Sequence, residues 1–394
     1  MTSSSGGSSA ASAALEPDPG RQGPQGSEGG VVYGKASPPK IAIGLVGMVV
    51  TAYLMYTLFM SFGIFPELYF DSKILIGIIA IIVGVGGSAL LFWCLNTFIE
   101  GLPQRASLTL IPYSYLLPGL SLIALMLIYP ALQTINFSFA DQDSEKYVGL
   151  ENYKTIFGSA GFREAIFNNL LWLLVVPAVT VAVGIVVAVL ADKLPARGES
   201  ASKSTIFLPM AISFVGASAI WKLVYDYSTS GAQTGLLNAV WTTLGGDAQP
   251  WLQIDSAKVN SFLLMVILIW LQVGFAMVLL SSAIKGVPED TIEAARIDGA
   301  SEWQIFWRVV IPQIKGTTIT VFITVLILVL KVFDIVYVLT NGRDKTEVIA
   351  NLFFKELFAR GNAGVASAIV VVLLIAITPV LVYQVRHFRE EEMS

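Results

Sequence analysis

VNSFLLMVILIWLQVGFAMVLLSSAI, residues 259–284, contains no Asp, Glu, Lys or Arg. A helix crossing the hydrocarbon core of a bilayer needs about 20 apolar residues, within a range of roughly 17–25. Working outward, residues 41–66, 74–99, 106–140, 165–191, 204–221 and 361–385 are also free of these charges. The run 316–337 joins them with Lys331 and Asp334 as its only charges. In lipid every backbone polar group must be paired within the chain, which for runs of this length means helices. The expectation is an all-α polytopic membrane protein with eight transmembrane helices. Pro112, Pro118 and Pro130 interrupt the long third run, so its helix is expected over about 115–137.

Composition agrees. Of 394 residues, 55% are hydrophobic and 13% charged, against about 25% charged in a soluble domain. The mean hydropathy is +0.72. A net charge of -4 implies no nucleic-acid partner. Cys94 and His387 are single residues of their kinds, which argues against a disulfide framework and a transition-metal site. Residues 1–40 are rich in Ser, Gly, Ala and Pro. Such a segment buries too little surface to offset its ordering entropy and is expected to be a disordered cytoplasmic tail. It has no apolar core after an early basic start, so it does not read as a secretory signal.

The basic residues orient the chain. With a cytoplasmic N-terminus and eight spans, the inner segments hold thirteen Lys and Arg and the outer loops ten. Both termini are then cytoplasmic. Outer loops 138–164 and 226–258 are long enough for surface structure. The inner loop 285–315 reads KGVPEDTIEAARIDGASEWQIFWRVVIPQIK. Pro288 suits the start of a helix, with Glu289 and Asp290 at the end favoured by the dipole. That helix runs to about Asp298 and Gly299 ends it. Ser301 and Gln304 form a capping-box pattern that starts a second helix. Ile305, Phe306, Val309 and Val310 fall on one face of it, and Pro312 closes the piece. The loop is a helix–turn–helix on the membrane surface, and on periodicity alone it could be a connector.

Glu293-Ala294-Ala295, Asp298-Gly299-Ala300 and Ile311-Pro312 resemble the EAA coupling loop of the permease subunits of binding-protein-dependent ABC importers. In that family the loop docks into a cleft of the cytoplasmic ATPase. The run Tyr115 to Phe139 resembles the opening core span of sugar permeases, and Val148-Gly149-Leu150-Glu151-Asn152-Tyr153 the outer-loop string that follows it. The resemblance covers about residues 112–390. It implies a permease core over 108–394, preceded by an extra transmembrane hairpin over 41–107, as in the larger maltose-type subunit. Residues 273–300 and 330–342 look like the α-glucoside permease subfamily, so maltose, trehalose or a related α-glucoside is the implied solute. The implied partners are a second permease, two copies of an ATPase, an extracytoplasmic sugar-binding protein and membrane lipid, in the bacterial plasma membrane. No cofactor is expected in this chain; ATP and Mg would sit on the ATPase subunits.

A permease needs a cavity near the midplane that opens to each side in turn. Gln272 and Phe275, three apart in a charge-free run, share a helix face and combine an amide with a ring. Trp270 is a weaker candidate because it lies about 200° around the helix from Gln272. Packing between helices is the alternative for all three. The maltose-type resemblance implies cavity positions at Leu268, Leu271, Gln272, Phe275, Val325, Leu328 and Val329. The last three are aliphatic here, where the maltose-type pattern includes polar residues, so the companion permease is the alternative holder of sugar contacts. Lys331 and Asp334, at i,i+3 spacing, are expected to form a structural or gating ion pair.

Two other classes fit less well. An ion-coupled secondary transporter calls for coupling acids and internal repeats, and the chain offers one Lys–Asp pair. A membrane enzyme calls for a catalytic motif, and no HExxH or GxSxG occurs. GESASKS (198–204) lacks the second glycine of a phosphate loop. A permease of the same family for another solute, such as a glycerol phosphate, also remains compatible with the coupling motif.

Overall fold

The computed structural model describes residues 36–69, 72–229, 231 and 233–393. The expected tail, 1–40, falls almost wholly outside the described residues, as do Arg21, Lys35 and the His387 side chain. The described residues are mostly helical, and the one extended pairing among them is an isolated bridge between Ala140 and Tyr147. Among the described residues six helices are long and apolar enough to cross a membrane. Two further candidates are helix pairs bent by 103° and 69°, which bring the number to eight if each pair is one span. By compactness the chain divides between Leu127 and Ile128.

The first unit holds α1 (Pro38–Ile64), α2 (Lys73–Gly101) and α3 (Gln104–Ile123). Ser72 caps α2 by accepting from the Leu75 N–H, and Lys40 pairs with Glu100 at 3.1 Å. Large apolar side chains such as Val49, Val85 and Met126 are more than half exposed. A soluble surface would not tolerate such a continuous apolar face; a lipid-facing one requires it. The third helix begins at Gln104, not near 115, with Pro112 and Pro118 inside it. Each proline costs one backbone hydrogen bond. Breaking the helix in lipid would leave more backbone groups unpaired, so the helix continues through them.

The second unit carries α4 (Tyr129–Phe137), α5 (Glu151–Gly158), α6 (Ala160–Asp192), α7 (Ala196–Phe207), α8 (Phe214–Val224) and α9 (Leu236–Thr243). It continues with α10 (Val259–Lys285), α11 (Glu289–Ile297), α12 (Glu302–Ile305), α13 (Ile311–Gln313), α14 (Lys315–Leu330), α15 (Asp334–Leu339), α16 (Ile349–Phe354) and α17 (Ala363–Met393). The axis is α10. In its most apolar window 61% of residues are buried, against 33% in α6 and 28% in α17. Trp172 and Val176 of α6, Leu264, Leu268 and Leu271 of α10, and Val325 and Val329 of α14 form one core. Val181 and Ala188 of α6, Met277 and Leu280 of α10, and Ile305 and Val310 of the inner loop form a second.

The run 204–221, expected as one helix, is two. Residues Leu208–Ala211 form a 3-10 turn, Ile212 is extended, and Ser213 caps α8 by accepting from the Gly216 N–H at 3.1 Å. Pro209 and the capping serine are the local cause: one disfavours the preceding turn, and the other starts a new helix. The string at 148–153 acts as a tie. The Asn152 amide donates to the carbonyls of Ser138 and Ala140, at 2.9 and 2.7 Å, and the Tyr153 hydroxyl meets that of Ser138 at 2.7 Å.

Candidate functional site

A cavity of about 530 Å³ opens beside α10, within the range of roughly 300–1,000 Å³ usual for small-molecule sites. Leu271, Gln272 and Phe275 of α10 line one wall. The break between α7 and α8, from Met210 to Val215, lines another, and Thr324 and Leu328 of α14 and Asp334 of α15 complete it. The position of α10 depends on Gly274. A Cβ there would meet the Ile206 carbonyl oxygen at 2.4 Å and the Phe207 Cα at 2.6 Å, so only glycine lets α10 lie against the end of α7.

The polar groups on this cavity are few. Gln272 is 95% buried, with 5% of its surface exposed, and among the described residues its amide has no hydrogen-bond partner. Thr324 donates to the Thr320 carbonyl at 2.8 Å, which leaves its oxygen lone pairs for a ligand. The amide opens onto the cavity, where a polar solute could both accept from it and donate to it.

The expected positions divide. Gln272, Phe275, Leu271 and Leu328 line the cavity. Leu268 and Leu328 line a smaller neighbouring one of about 130 Å³ with Lys331 and Asp334. Val325 and Val329 are fully buried in the core. Trp270 points away, its ring 5.7 Å from that of Trp221. Lys331 and Asp334 do not pair with each other among the described residues. The i,i+3 argument assumed one helix, but α14 stops at Leu330 and α15 starts at Asp334. Sequence reasoning missed Met210–Val215 and Thr324; Pro209 with Ser213 was the available signal for the first.

The inner loop has the expected build. Helix α11 ends at Ile297, and Gly299 takes a left-handed φ of +82°. The Gly299 N–H donates to the Arg296 carbonyl at 3.0 Å and the Ala300 N–H to that of Ala295 at 3.1 Å. This is the Schellman pattern, in which the residue after the cap adopts the conformation that glycine permits. Ser301 and Gln304 form the full reciprocal capping box. Ala295 and Ala300 pack on the second core. Glu293, Ala294, Asp298 and Gly299 face outward, and Pro312 lies exposed at the approach to the 69° bend. Phe306–Val310 form a π turn, closed by the Ile311 N–H donating to the Phe306 carbonyl, immediately before Pro312, which has no N–H to donate. Arg296 bridges to Glu302 at 2.8 Å across the glycine turn. Ile297, Trp303 and Trp307 are 85%, 71% and 50% exposed on the same loop, an apolar patch that the motif did not announce.

Three helices meet at a charge cluster beside this loop. Lys203 of α7 bonds Asp192 of α6 and Glu199 of its own helix, each at 2.6 Å, and the Ser281 hydroxyl of α10. Ser281 donates to Asp192 at 2.7 Å, and Lys285, the last residue of α10, contacts Glu199. On the other side of the unit, the Asn168 amide donates to the carbonyls of Lys345 and Glu347, and Asn260 to that of Asp344. Lys345 pairs with Asp255 at 2.6 Å. The ammonium holds the Asp255 carboxyl below its ordinary value of 3.8, chiefly through that hydrogen bond.

Helices that cross a bilayer, a broken span over a central cavity and a surface helix–turn–helix after α10 define a membrane permease. The chain belongs to the family of binding-protein-dependent transport system inner membrane components, whose model matches residues 160–389. It is a permease of an ATP-driven importer. It is 52% identical to the osmoprotective compounds uptake permease protein GgtC of Synechocystis over 71% of this chain and 99% of that one. It is 42% identical to the alpha-glucoside transport system permease protein AglF of Rhizobium meliloti, over 81% and 98%. A crystal structure of a bacterial alginate ABC transporter, 22% identical, shares the fold with a TM-score of 0.60 over 69% of this chain and 92% of that chain.

Proposed function

We propose that this chain translocates an α-glucoside, from disaccharide to short oligomer, by alternating access coupled to ATP hydrolysis on separate subunits. The observation that carries the reading is the cavity of about 530 Å³, in which the unpartnered Gln272 amide and the Phe275 ring sit together. An amide both donates to and accepts from sugar hydroxyls, and an aromatic face covers the apolar face of the ring. The names of two relatives favour the solute class: the alpha-glucoside permease and a trehalose/maltose permease of Thermococcus litoralis, 29% identical.

Coupling follows the line of α10. From Gln272 to Lys285, where the docking loop begins, it rises about 20 Å at 1.5 Å per residue. Glu293, Ala294, Asp298 and Gly299 present the surface to an ATPase; Ala295 and Ala300 seat the loop on the core, and Pro312 sets its exit. The cluster around Lys203 ties the loop's root to α7, and so to the broken turn at Met210–Val215. Movement of the loop therefore reaches the cavity wall through packed helices. This chain carries no ATP site of its own in the reading. Its partners are a second permease, two ATPase copies and a solute-binding protein, and both termini are cytoplasmic. The pieces are a cytoplasmic tail (1–40), an N-terminal hairpin (41–107) and the core (108–394).

The test is uptake of labelled maltose, trehalose and sucrose at low concentration in a deletion strain and in the strain restored with this chain. Loss and recovery of one of them supports the reading. Unchanged uptake of all three, with loss of an unrelated solute, contradicts it. A second reading, an osmoprotective solute, draws on the 52% identity to the uptake permease for osmoprotective compounds. It predicts that the deletion strain loses growth at high salt instead.

A further inference from the structure

We propose that Asp334 is the specificity-determining group of the cavity. In this assignment its carboxyl accepts hydrogen bonds from neighbouring hydroxyls of an uncharged sugar and excludes acidic ones. The inference rests on the cavity being the solute site. Among the described residues that line the larger cavity, Asp334 is the one that is charged; the others are apolar or carry a neutral amide or hydroxyl.

Asp334 and its expected partner Lys331 both line the smaller cavity, but among the described residues they form no ion pair with each other. Leu330 ends α14, and three non-helical residues separate it from Asp334, the first residue of α15. Lys331 is exposed and lies on the smaller cavity, outside the larger one. Among the described residues Asp334 forms no ion pair and no hydrogen bond through its side chain. A structural role as the acidic first residue of a helix is the simpler account. It explains an acid at this point of the chain. It does not explain why the group faces the same space as the unpartnered Gln272 amide.

Two carboxylate oxygens offer about four acceptor sites and no donor. They match a pair of adjacent hydroxyls on one sugar ring, while Gln272 supplies a donor and an acceptor opposite. An acidic sugar would bring a second negative charge into an apolar wall, where repulsion is screened far less than in water. Exclusion by an unpaired like charge is a direct form of selection.

The experiment uses the assembled importer purified in detergent, without the binding protein, so that selection by another subunit does not enter. The probes are labelled maltose, trehalose or sucrose, whichever the wild type takes up, and the analogue of that sugar with one hydroxymethyl group oxidised to a carboxylate. Asp334→Asn is expected to weaken binding of the neutral sugar about tenfold and to narrow its preference over the acid at least tenfold. Gln272→Ala is expected to weaken binding without narrowing the preference. If Asp334→Asn leaves affinity and preference unchanged while Gln272→Ala weakens binding, Asp334 is a helix-end residue and this inference fails alone. If neither variant changes binding, the cavity reading fails with it. If Asp334→Asn yields no assembled importer, Asp334→Glu decides: retained preference for the neutral sugar supports the assignment, and lost preference overturns it.

Discussion

Gly299 offers a quantitative test of the proposed docking role of loop 285–315. Its φ is +82°, and a Cβ added there has nothing within 4 Å. The cost of Gly299→Ala is therefore conformational and not steric. A left-handed residue with a Cβ costs roughly 1–2 kcal/mol, a factor of about 5–30 in an equilibrium constant. If the turn opens to escape that strain, the Gly299 and Ala300 N–H bonds are lost, each contributing about 0.5–1.5 kcal/mol. Gly299→Asn should cost less, because Asn tolerates this region. Gly299→Asp adds a carboxylate beside Asp298 at the negative end of α11. Within a docked interface that charge would also need burial, at several kcal/mol. The expected order of damage is Asp, then Ala, then Asn. The assay is ATPase stoichiometry in the purified complex, followed by solute-stimulated hydrolysis, with membrane insertion and pairing with the second permease as controls. Wild-type stoichiometry and stimulation for both Ala and Asp would refute the reasoning and make the loop a connector.

Other perturbations read other parts of the account. Lys203→Met leaves Asp192 and Glu199, whose side chains are only 15% and 20% exposed, short of their main partner. It should destabilise the complex more than Lys285→Ala, which is half exposed and should cost under about 1 kcal/mol; thermal unfolding of the purified complex ranks them. Gly274→Leu should push α7 from α10 and abolish transport while leaving membrane insertion intact, as uptake and a fractionation blot would show. The Asp255–Lys345 contact has a defined pH sign. The folded-state pKa of Asp255 lies below 3.8, so the contribution is full above that value and fades as pH falls through the lowered one. Unfolding temperatures of wild type and Lys345→Ala should therefore differ at neutral pH and converge in acid; a constant gap would show that the pair is not the cause. A reporter fused after Ser394 should be active only if it functions in the cytoplasm, and external activity would invert the orientation.

The hydrophobic runs made the long helices legible because bilayer thickness sets their length directly. The loop's glycine turn and capping box were legible because both depend on residues close in sequence. Breaks inside apolar runs were harder to see. Residues 204–221 show no charge to mark the bend at Ile212, and proline proved a poor guide in the opposite sense at Pro112 and Pro118, where the helix continues. Gln272 and Phe275 were found by shared helix face, which a single helix determines. Thr324 was not found, since its place on the cavity depends on how α14 meets α10. The Lys331–Asp334 pairing failed for the same reason: spacing predicts contact only where the helix is unbroken.

The most direct measurement is accumulation of labelled α-glucoside in proteoliposomes holding the complete importer, binding protein and ATP on the cytoplasmic face. Accumulation that requires ATP hydrolysis, ignores ion gradients and falls at least tenfold in Gln272→Ala is the predicted result. Accumulation that follows an ion gradient without ATP, or that Gln272→Ala leaves untouched, would contradict the account.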